Sequence, residues 1–431
     1  MKKKLTKEFI INLSKKKNEP KWMLDFRLKS FECFEKMNDP DFGPELNIDY
    51  DNILYYKSTQ DGSKSDWNEV SKNTKKTFCD LGVVDAEEKY LDGVSNQLES
   101  EVVYHKNKTD KNIIFMGTDD ALKKYPELFK KYFNTLVRYD ENKFTALNGA
   151  VWSGGSFIYI PPYTKLDRPL QSYFRIETEA LGQFERTIII VDKGAELSYI
   201  EGCTARSYAS NSLHAGVVEI FVMEDAVCKY NTIQNWSNEV YNLVTKRAIV
   251  EDNGMMQWVD GNIGSGITMK YPSCILKGDN SSGNSISIAY AKKNQVLDAG
   301  AKMIHLGKNT KSNIVSKSIA QNGGVSNYRG TTRIVESAIN SKATIKCDTI
   351  LLDDISKSDT IPKNILENNS SIIEHEATIS KISADKLFYL ESKGLNEDQA
   401  KEMLVMGFID DFKKELPMEY AVELNRLLKE L

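Results

Sequence analysis

A series of short, strand-like segments between residues 146 and 382 limits the folds open to this chain. The segments are rich in β-branched and aromatic residues and are separated by Gly, Asn, Asp and Ser, as around Phe157-Ile-Tyr-Ile, Arg186-Thr-Ile-Ile-Ile-Val and Val217-Val-Glu-Ile-Phe-Val. Their recurrence, about every 10 residues, is typical of an all-β domain. A single sandwich rarely absorbs so many strands, whereas each coil of a β-helix buries its face against the previous coil. The pattern favours a β-helix, and it leaves a large sandwich as the alternative because the repeat has no tight period.

Helical periodicity precedes this β region. Pro20 suits a helix start, and Trp22 and Phe26 follow at helical spacing before Asp39-Pro-Asp ends the segment. Apolar spacing also predicts one continuous helix over Thr118–Phe133. The chain is therefore expected to divide into an N-terminal helical and mixed region (1–145), a β core (146–382) and a C-terminal helical domain (383–431).

The C-terminal domain carries its own helix signals. Ser383 can cap a first helix that stops at Gly394. Asn396 can start a second, with Gln399 three residues later as in a capping box. Pro417 can open a third helix.

Composition narrows the class of protein. The net charge of −4 over 431 residues gives no general electrostatic reason to bind nucleic acid or an anionic membrane. No stretch approaches the roughly 20 apolar residues of a membrane helix, and the residues after Met1 lack a signal-like apolar run. Six cysteines without a Cys-x-x-Cys pair are too sparse for a disulfide framework. We therefore expect a cytoplasmic protein with reduced thiols.

Several segments, found in the same order along the chain, resemble the SufB/SufD family of iron–sulfur assembly scaffolds, and its SufB branch in particular. They include Leu147-Asn-Gly-Ala-Val-Trp-Ser-Gly-Gly, Tyr199-Ile-Glu-Gly-Cys-Thr-Ala, Thr232-Ile-Gln-Asn-Trp-Ser-Asn, Tyr241-Asn-Leu-Val-Thr-Lys-Arg, Met269-Lys-Tyr-Pro-Ser, Cys347-Asp and Glu374-His-Glu-Ala-Thr-Ile-Ser-Lys-Ile. Each segment is weak evidence by itself, but their common order makes chance matching improbable.

The resemblance implies a right-handed parallel β-helix core between N-terminal and C-terminal helical regions. It also implies a scaffold on which an iron–sulfur cluster is transiently assembled and passed to apo iron–sulfur proteins. The implied partners are a SufC-type ATPase bound at the C-terminal region, SufD or a second SufB copy, and a cysteine desulfurase system that donates persulfide sulfur. Since the sequence has no Gly-x-x-x-x-Gly-Lys-[Ser/Thr] phosphate loop, ATP hydrolysis is expected from the partner rather than from this chain.

Two cysteines are the main candidates for chemistry, because thiolate is both a sulfur nucleophile and a soft iron ligand. From residues alone, a buried structural thiol is the better interpretation of each. The resemblance reverses that preference: it makes Cys347 the main assembly residue and Cys203 the sulfur-receiving residue. Cys203 follows a glycine after a predicted strand, which suits an accessible thiol at a coil corner.

Four further residues match positions that the family places along an internal sulfur path: Arg175, Gln234, Trp236 and Lys246. A cation near the path would favour thiolate or persulfide anions. The structural alternatives are a hydrogen-bonded polar residue on a coil or, for Trp236, core packing. This sequence departs from the family's usual residues at Glu177, which could pair with Arg175, and at Arg206 just after the Cys203 motif.

Glu374, His375 and Glu376 form the other metal-capable motif. Strand alternation puts the two glutamates on one face and the histidine on the other, so a regular strand cannot aim all three at one iron. A bulge, a subunit boundary or use of only some of them as ligands would resolve this. The remaining histidines, His105, His214 and His305, are expected to be hydrogen-bonded structural residues.

Two other functions stay open at this stage. A SufD-like paralogue that does not build clusters is disfavoured by Cys347 and by Glu374-His-Glu. A β-helical carbohydrate-active enzyme would need a carboxylate cluster on an exposed groove and is commonly exported.

Overall fold

The computed structural model of the chain describes residues 4–59, 62–205 and 212–410. The protein is mainly β, a solenoid of about eight turns with helices at both ends of the chain. The prediction of a β-helix core is therefore confirmed, and the sandwich alternative is wrong.

Seven helices of the described residues precede or enter the solenoid, and two follow it: α1 (Lys7–Lys16), α2 (Lys21–Lys36), α3 (Lys72–Asp80), α4 (Val83–Tyr90), α5 (Thr118–Lys124), α6 (Pro126–Tyr132), α7 (Lys143–Val151), α8 (Ala384–Ser392) and α9 (Glu397–Phe408). A short 3-10 turn covers Tyr50–Asn52.

The strands of the described residues, in chain order, are β1 (Gly93–Leu98), β2 (Glu101–Asn107), β3 (Ile114–Gly117), β4 (Ser156–Ile160), β5 (Leu170–Ile176), β6 (Gly182–Gln183), β7 (Arg186–Val191), β8 (Glu196–Ala205), β9 (Ser212–His214), β10 (Val217–Val222), β11 (Val227–Trp236), β12 (Val240–Val250), β13 (Met255–Gly264), β14 (Ile267–Lys270), β15 (Ser273–Leu276), β16 (Ser282–Ala291), β17 (Val296–His305), β18 (Lys311–Ala320), β19 (Val325–Ile334), β20 (Lys342–Leu351), β21 (Thr360–Leu366) and β22 (Ile372–Lys381).

The strands form two facing sheets. A ten-stranded sheet has the order β2-β1-β5-β8-β11-β13-β16-β18-β20-β22, and a twelve-stranded sheet runs from β3 to β21. Apart from the antiparallel pairs β1–β2 and β3–β4, neighbouring strands are parallel. Successive coils therefore stack their side chains on one another in both sheets, and in the twelve-stranded sheet some coils contribute two short strands, such as β14 and β15. Strands β1–β3, which precede residue 146, already belong to these sheets.

Asparagine makes the coil corners. Asn253, Asn280 and Asn309 all have φ between 55° and 59°, a left-handed conformation that asparagine tolerates better than most residues. Their side chains form a ladder between coils, Asn309 donating to Asn280 at 3.3 Å and Asn280 to Asn253 at 3.2 Å. Successive members are 27 to 29 residues apart, which is the length of one coil here.

The apolar core lies between the two sheets, and the early coils are also covered from outside. Helices α1, α2 and α7 pack on the outer face of the twelve-stranded sheet through residues such as Phe31 and Leu147. This explains why β7 is buried on both faces, whereas the late strands β18–β20 alternate buried and exposed positions.

The prediction of one helix over Thr118–Phe133 is wrong, because two helices, α5 and α6, occupy this segment. Pro126 has no backbone N–H to continue a helix, and the residue before a proline is pushed out of the helical region. Tyr125 accordingly has φ −131° and ψ 54°.

The C-terminal end of the solenoid is an open edge. β21 and β22 are the last strands of their sheets and expose the apolar residues Ile361, Leu366, Ile372 and Ile379. Beyond them, Ser383 caps α8, and Asn396 forms the predicted capping box at the start of α9. Helix α9 packs through Val405 on the outer face of the ten-stranded sheet. The helix predicted from Pro417 lies outside the described residues.

Candidate functional site

The inward face of the ten-stranded sheet carries two adjacent columns of side chains, one position per coil. The Cys203 column is Phe174, Cys203, Gln234, Asn262, Ala289, Ser318, Thr349 and Ile379. The Cys347 column is Ser172, Glu201, Thr232, Asp260, Ser287, Ser316, Cys347 and Ala377. Both columns are rich in polar residues. Burying polar groups costs free energy unless they are hydrogen-bonded or paired, so these side chains need partners inside the solenoid.

The two candidate cysteines lie on β8 and β20 with four strands between them. At about 4.8 Å per strand, their Cα atoms are roughly 24 Å apart. The register of β11 with β13 is regular throughout, so Gln234 and Trp236 lie on the inner face with Cys228, Tyr230 and Thr232. Sulfur passing from Cys203 to Cys347 inside the solenoid would cross this polar surface.

Four charged side chains meet inside the solenoid and are almost completely buried. Lys246, on the twelve-stranded sheet, donates to Glu201 at 3.1 Å and lies 4.0 Å from Asp260. Lys270 donates to Asp260 at 2.8 Å and to Gln234 at 3.2 Å. We name Glu201, Lys246, Asp260 and Lys270 the charge quartet. Its two positive and two negative charges balance, which makes the burial tolerable.

Hydrogen bonds, neighbouring charges and burial shift the pKa values inside the charge quartet, and for Lys270 burial prevails and lowers the pKa of the ammonium below its usual value. Burial opposes ionisation of Asp260, but the two lysines outweigh it and hold the pKa of that carboxyl below its usual range. Burial also opposes the charge on Lys246, yet Glu201 and Asp260 raise the pKa of its ammonium above the usual value. Tyr230 donates to Glu201 and Thr232 donates to Asp260, which completes the network.

Cys203 lies inside β8 and is fully buried, in an apolar cluster with Phe174 and Trp236. The expectation of an accessible thiol at a coil corner is therefore wrong. The glycine before Cys203 does not end the strand, because β8 continues to Ala205 in register with β11. Burial, with the nearby carboxylates of Glu201 and Glu185, raises the pKa of the Cys203 thiol well above its usual value.

Arg175 lies on the other side of the sheet from Cys203. Strand alternation places it with Tyr173, which packs under α3 and α4 on the outer face. It donates to Thr204 at 3.0 Å, and its Nε lies 3.6 Å from Glu177, the pairing expected from sequence. The structure thus separates this cation from the inner surface that holds Gln234, Trp236 and Lys246.

Cys347 lies on the inner face of β20, one strand from the open edge. Its side chain is 3% exposed and packs with Ile345 and Tyr328 in the central apolar core. Burial raises the pKa of the Cys347 thiol to about 12, and the neighbouring Tyr328 hydroxyl offsets only part of this rise. The register neighbour of Cys347 on β22 is Ala377, the last residue of the Cys347 column, and Ala377 is exposed.

The Glu374-His-Glu motif is split by the strand. The pairing of β20 with β22 is one-to-one throughout, without a bulge. His375 faces inward, on the same face as Cys347 but opposite Ile345 in the register, and Asn364 Nδ2 donates to its Nδ1 at 3.1 Å. Glu374 and Glu376 face outward, 3.0 Å from Lys342 and 3.9 Å from Lys346.

The described part of a single chain therefore offers two soft ligands at this edge rather than a full metal site. His375 Nε2 is buried and has no hydrogen-bond partner among the described residues. Because Asn364 Nδ2 donates to Nδ1, Nε2 of the neutral ring carries the proton, and iron could bind there only after that proton is lost or moves to Nδ1. Within residues 4–59, 62–205 and 212–410, no three His, Cys, Asp or Glu side chains are grouped closely enough to hold a metal ion.

Thiol reactivity tests this burial. In a brief iodoacetamide pulse of the reduced protein at neutral pH, we expect exposed Cys79 to be alkylated about 100-fold or more faster than Cys347, because only thiolate reacts and the pKa of Cys347 is strongly raised. Peptide mass spectrometry reports each site. Unfolding in urea should remove the difference, and equal rates in the native protein would contradict the buried placement.

Sequence reasoning missed three members of the charge quartet, Glu201, Asp260 and Lys270, and a second buried pair, Glu185 with His214 at 2.6 Å. One signal was available: acidic and basic residues at inward positions of predicted strands must find partners when buried. Which residues pair could not be read from the sequence, because the contacts join different sheets.

Comparison with known proteins gives a consistent result over nearly the whole chain. The family described as "SUF system FeS cluster assembly, SufBD core domain" matches residues 174–408, and the "SufBD protein N-terminal region" matches residues 8–172. Relatives in Staphylococcus epidermidis, Staphylococcus saprophyticus and Staphylococcus aureus, each named an iron-sulfur cluster assembly SufBD family protein, are 56% identical over 429 residues, covering 99% of this chain and 92% of the relative.

Among the described residues, no helix combines the length and apolar character that crossing a bilayer requires. The solenoid, its flanking helices and the matches to both family regions lead to one assignment. The chain belongs to the SufBD family of iron–sulfur cluster assembly proteins.

Proposed function

We propose that this chain is a SufB-type scaffold that receives persulfide sulfur and iron, assembles an iron–sulfur cluster and passes it to apo-proteins. The observation that carries the proposal is the polar interior: Cys203 and Cys347 occupy adjacent inward columns, with Gln234, Asp260 and the buried lysines beside them. A purely structural solenoid would fill these positions with apolar side chains, because buried charges cost free energy even when paired.

Sulfur transfer inside the solenoid would keep a reactive persulfide away from oxidants in the solvent. Cys203 would receive the sulfur, and Gln234, Trp236 and Lys246 would line the first part of its path. Lys246 and Lys270 supply positive charge that offsets an anionic sulfur. Arg175, which faces outward, would act only through the backbone of β5 or by reorientation, so its place on the path is the weakest of the set.

The cluster site would be completed at the open edge. Cys347 and His375 provide inward ligands, and Glu374 or Glu376 could join only if their pairing with Lys342 and Lys346 changed. The remaining ligands are expected from a partner chain, SufD or a second copy, that covers β21 and β22. Iron and sulfide are the cargo of this site.

The conformational work would come from a SufC-type ATPase acting on the C-terminal helices. Helix α8 has no buried residue, and it exposes Phe388 (73%) and Tyr389 (60%), which supports a docking role. This scaffold is expected to act in the cytoplasm. The SufD-like alternative is disfavoured because the chain carries both Cys347 and His375, on the same inward face of neighbouring strands. The family match leaves the carbohydrate-active alternative without support.

An anaerobic pull-down from the native host tests the scaffold role. We expect the chain to co-purify with an ATPase and to carry iron, acid-labile sulfide and visible absorbance in matching amounts. Co-purification with a different SufBD protein that holds all of the iron would indicate the SufD-like role instead.

Charge at the open edge should weaken partner binding. Ile379→Asp, on β22, is expected to reduce association with the partner chain at least tenfold and to lower cluster content in parallel, because a buried unpaired carboxylate at an interface is costly. Light scattering and iron analysis measure both quantities. Ile11→Asp on α1 is the matched control, since Ile11 is exposed to a similar degree (44% against 46%). Equal association of both variants would contradict the edge as the interface.

A further inference from the structure

A group of polar atoms beside Cys203 is buried without hydrogen-bond partners among the described residues. It includes the acceptors Gln183 Oε1 and Glu185 Oε2 and the donors Gln234 Nε2 and Trp236 Nε1. Gln234 is the register neighbour of Cys203, and Trp236 belongs to the same apolar cluster. Buried polar atoms nearly always pair with protein, water or ligand. We name this group of four atoms the polar chamber.

The directions of the hydrogen bonds around His214 show where the protons lie on its two ring nitrogens. Lys270 can only donate, so Gln234 Oε1 accepts from it at 3.2 Å and also accepts from Asn242 Nδ2 at 2.8 Å. Asn242 therefore turns its Oδ1 toward His214 Nδ1, 2.8 Å away, and this ring nitrogen must carry a proton. His214 Nε2 lies 2.6 Å from Glu185 Oε1, so these two atoms share one further proton.

The result is an ion pair with one free carboxylate oxygen. Burial opposes the charge on His214, but Glu185 outweighs it and raises the pKa of the imidazole above its usual value. Both ring nitrogens are occupied, whereas Glu185 Oε2 has no partner among the described residues. Space for this carboxylate depends on Gly216, where a Cβ would lie 2.0 Å from Glu185 Oε1.

The thiol next to this pair cannot ionise easily by itself. The groups whose charges act on Cys203 are the carboxylates Glu201 and Glu185 and the cations Lys246 and Lys270, with Tyr199 and Tyr230 also facing this part of the interior. Since burial and the carboxylates raise the pKa of the thiol, sulfur transfer at neutral pH needs a base that takes its proton.

We propose that Glu185 is the proton acceptor for Cys203 and that His214 is the positioning residue that holds its carboxylate in place. The inference rests on the proposed role of Cys203 as sulfur acceptor. No direct hydrogen bond joins the thiol to the carboxylate, so the proton passes through one bridging water held by the chamber's free polar atoms.

The step balances without an oxidant or reductant. Cys203 Sγ–H gives its proton to Glu185, and Sγ bonds to the outer sulfur of an incoming persulfide. The bond between the two donor sulfurs breaks, and its electron pair leaves with the donor thiolate. That thiolate takes the proton back from Glu185, so Cys203 ends as a persulfide, the donor as a thiol and Glu185 as a carboxylate.

The test follows sulfur gain at Cys203 directly. The reduced full-length protein is treated anaerobically with inorganic polysulfide, a small sulfur donor, over a range of pH, and peptide mass spectrometry measures persulfide at Cys203. We expect Glu185→Gln to lower the neutral-pH rate about 100-fold. We also expect its rate to rise with hydroxide concentration, whereas the wild-type rate depends less on pH. His214→Gln should give a smaller loss, because glutamine still donates to the carboxylate.

Matched variants separate this role from a folding effect. His305→Gln removes another buried histidine, whose ring forms hydrogen bonds with Thr310 and Ser312, and should leave the rate and its pH profile unchanged. If Glu185→Gln does not fold, Glu185→Asp keeps the acid and should retain the wild-type pH profile at a reduced rate. If Glu185→Gln folds, wild-type rates and pH profiles in both Glu185→Gln and His214→Gln would overturn the inference. If it does not fold, the same result in Glu185→Asp and His214→Gln would overturn it. Either result would leave the proposed function of the chain unaffected. A wild-type chain that never gains sulfur at Cys203 would instead count against the proposed function.

Discussion

Replacing Cys347 with alanine is expected to leave a folded protein that no longer holds a cluster. In anaerobic reconstitution with iron and a persulfide donor, bound iron and labile sulfide should fall to about a tenth or less of the wild-type value, because alanine removes the thiolate and leaves His375 as the one inward ligand at this edge among the described residues. Cys347 shares the inward face with His375 and lies one strand from the open edge, where a cluster could be bridged to a partner.

Cys274→Ala is the matched control for this experiment. Cys274 is also a buried thiol of the central core, and burial raises its pKa to about 12, but it lies on the twelve-stranded sheet away from the open edge. Both variants remove one buried sulfur and should lose a similar stability, about 1 kcal/mol. Full cluster content in Cys347→Ala, or an equal loss in Cys274→Ala, would refute the assembly role of Cys347.

Removing the negative charge of Asp260 is expected to lower the free energy of unfolding of the protein strongly. Asp260→Asn leaves Lys270 and Lys246 buried with Glu201 as the one remaining carboxylate of the charge quartet, and breaking a buried pair costs about 3–5 kcal/mol. Urea unfolding under reducing conditions measures the shift in midpoint. Glu224→Gln, which breaks the solvent-exposed Lys193–Glu224 pair, should shift the midpoint far less, because water screens an exposed ion pair.

The same variant should change the response to acid. Because the folded-state pKa of Asp260 lies below its unfolded value, its contribution is complete above the unfolded pKa, about 3.9, and is lost as pH falls through the lower folded value. Asp260→Asn should therefore lose less stability than the wild type over that acid range. Restoration of stability by Lys270→Met in the Asp260→Asn background would show that the unpaired lysine causes the loss; identical acid profiles would contradict the account.

Local chemistry made parts of this structure predictable from the sequence. Asn396 and Gln399 form a capping box because both partners lie within one helical turn. The inward positions of β11 and β20 follow from strand alternation, which requires only that the strand be regular. The split of Glu374 and Glu376 from His375 follows from the same rule, and the unbroken register with β20 removes the bulge that could have reunited them.

Other features depend on which coil lies next to which. Lys246 and Glu201 are 45 residues apart in sequence, and Lys270 and Asp260 face each other from different sheets only 10 residues apart. The coil length varies, so the sequence shows no period from which these neighbours could be counted. Cys203 was expected at an accessible corner, but the pairing of β8 with β11 continues past its glycine and buries it.

The sequence by itself determined the strand-rich solenoid, its helical ends and the residue types able to handle sulfur and iron, because these follow from local periodicity and from motif order. Only the tertiary structure decided which side chains share the interior. Stacking of successive coils brings Cys203, Gln234 and the charge quartet together, leaves Arg175 outside and places Cys347 at an open edge. The physical reason is that burial of charge and the pKa of a thiol depend on neighbours from distant coils, and register between coils is fixed only when all of them are packed.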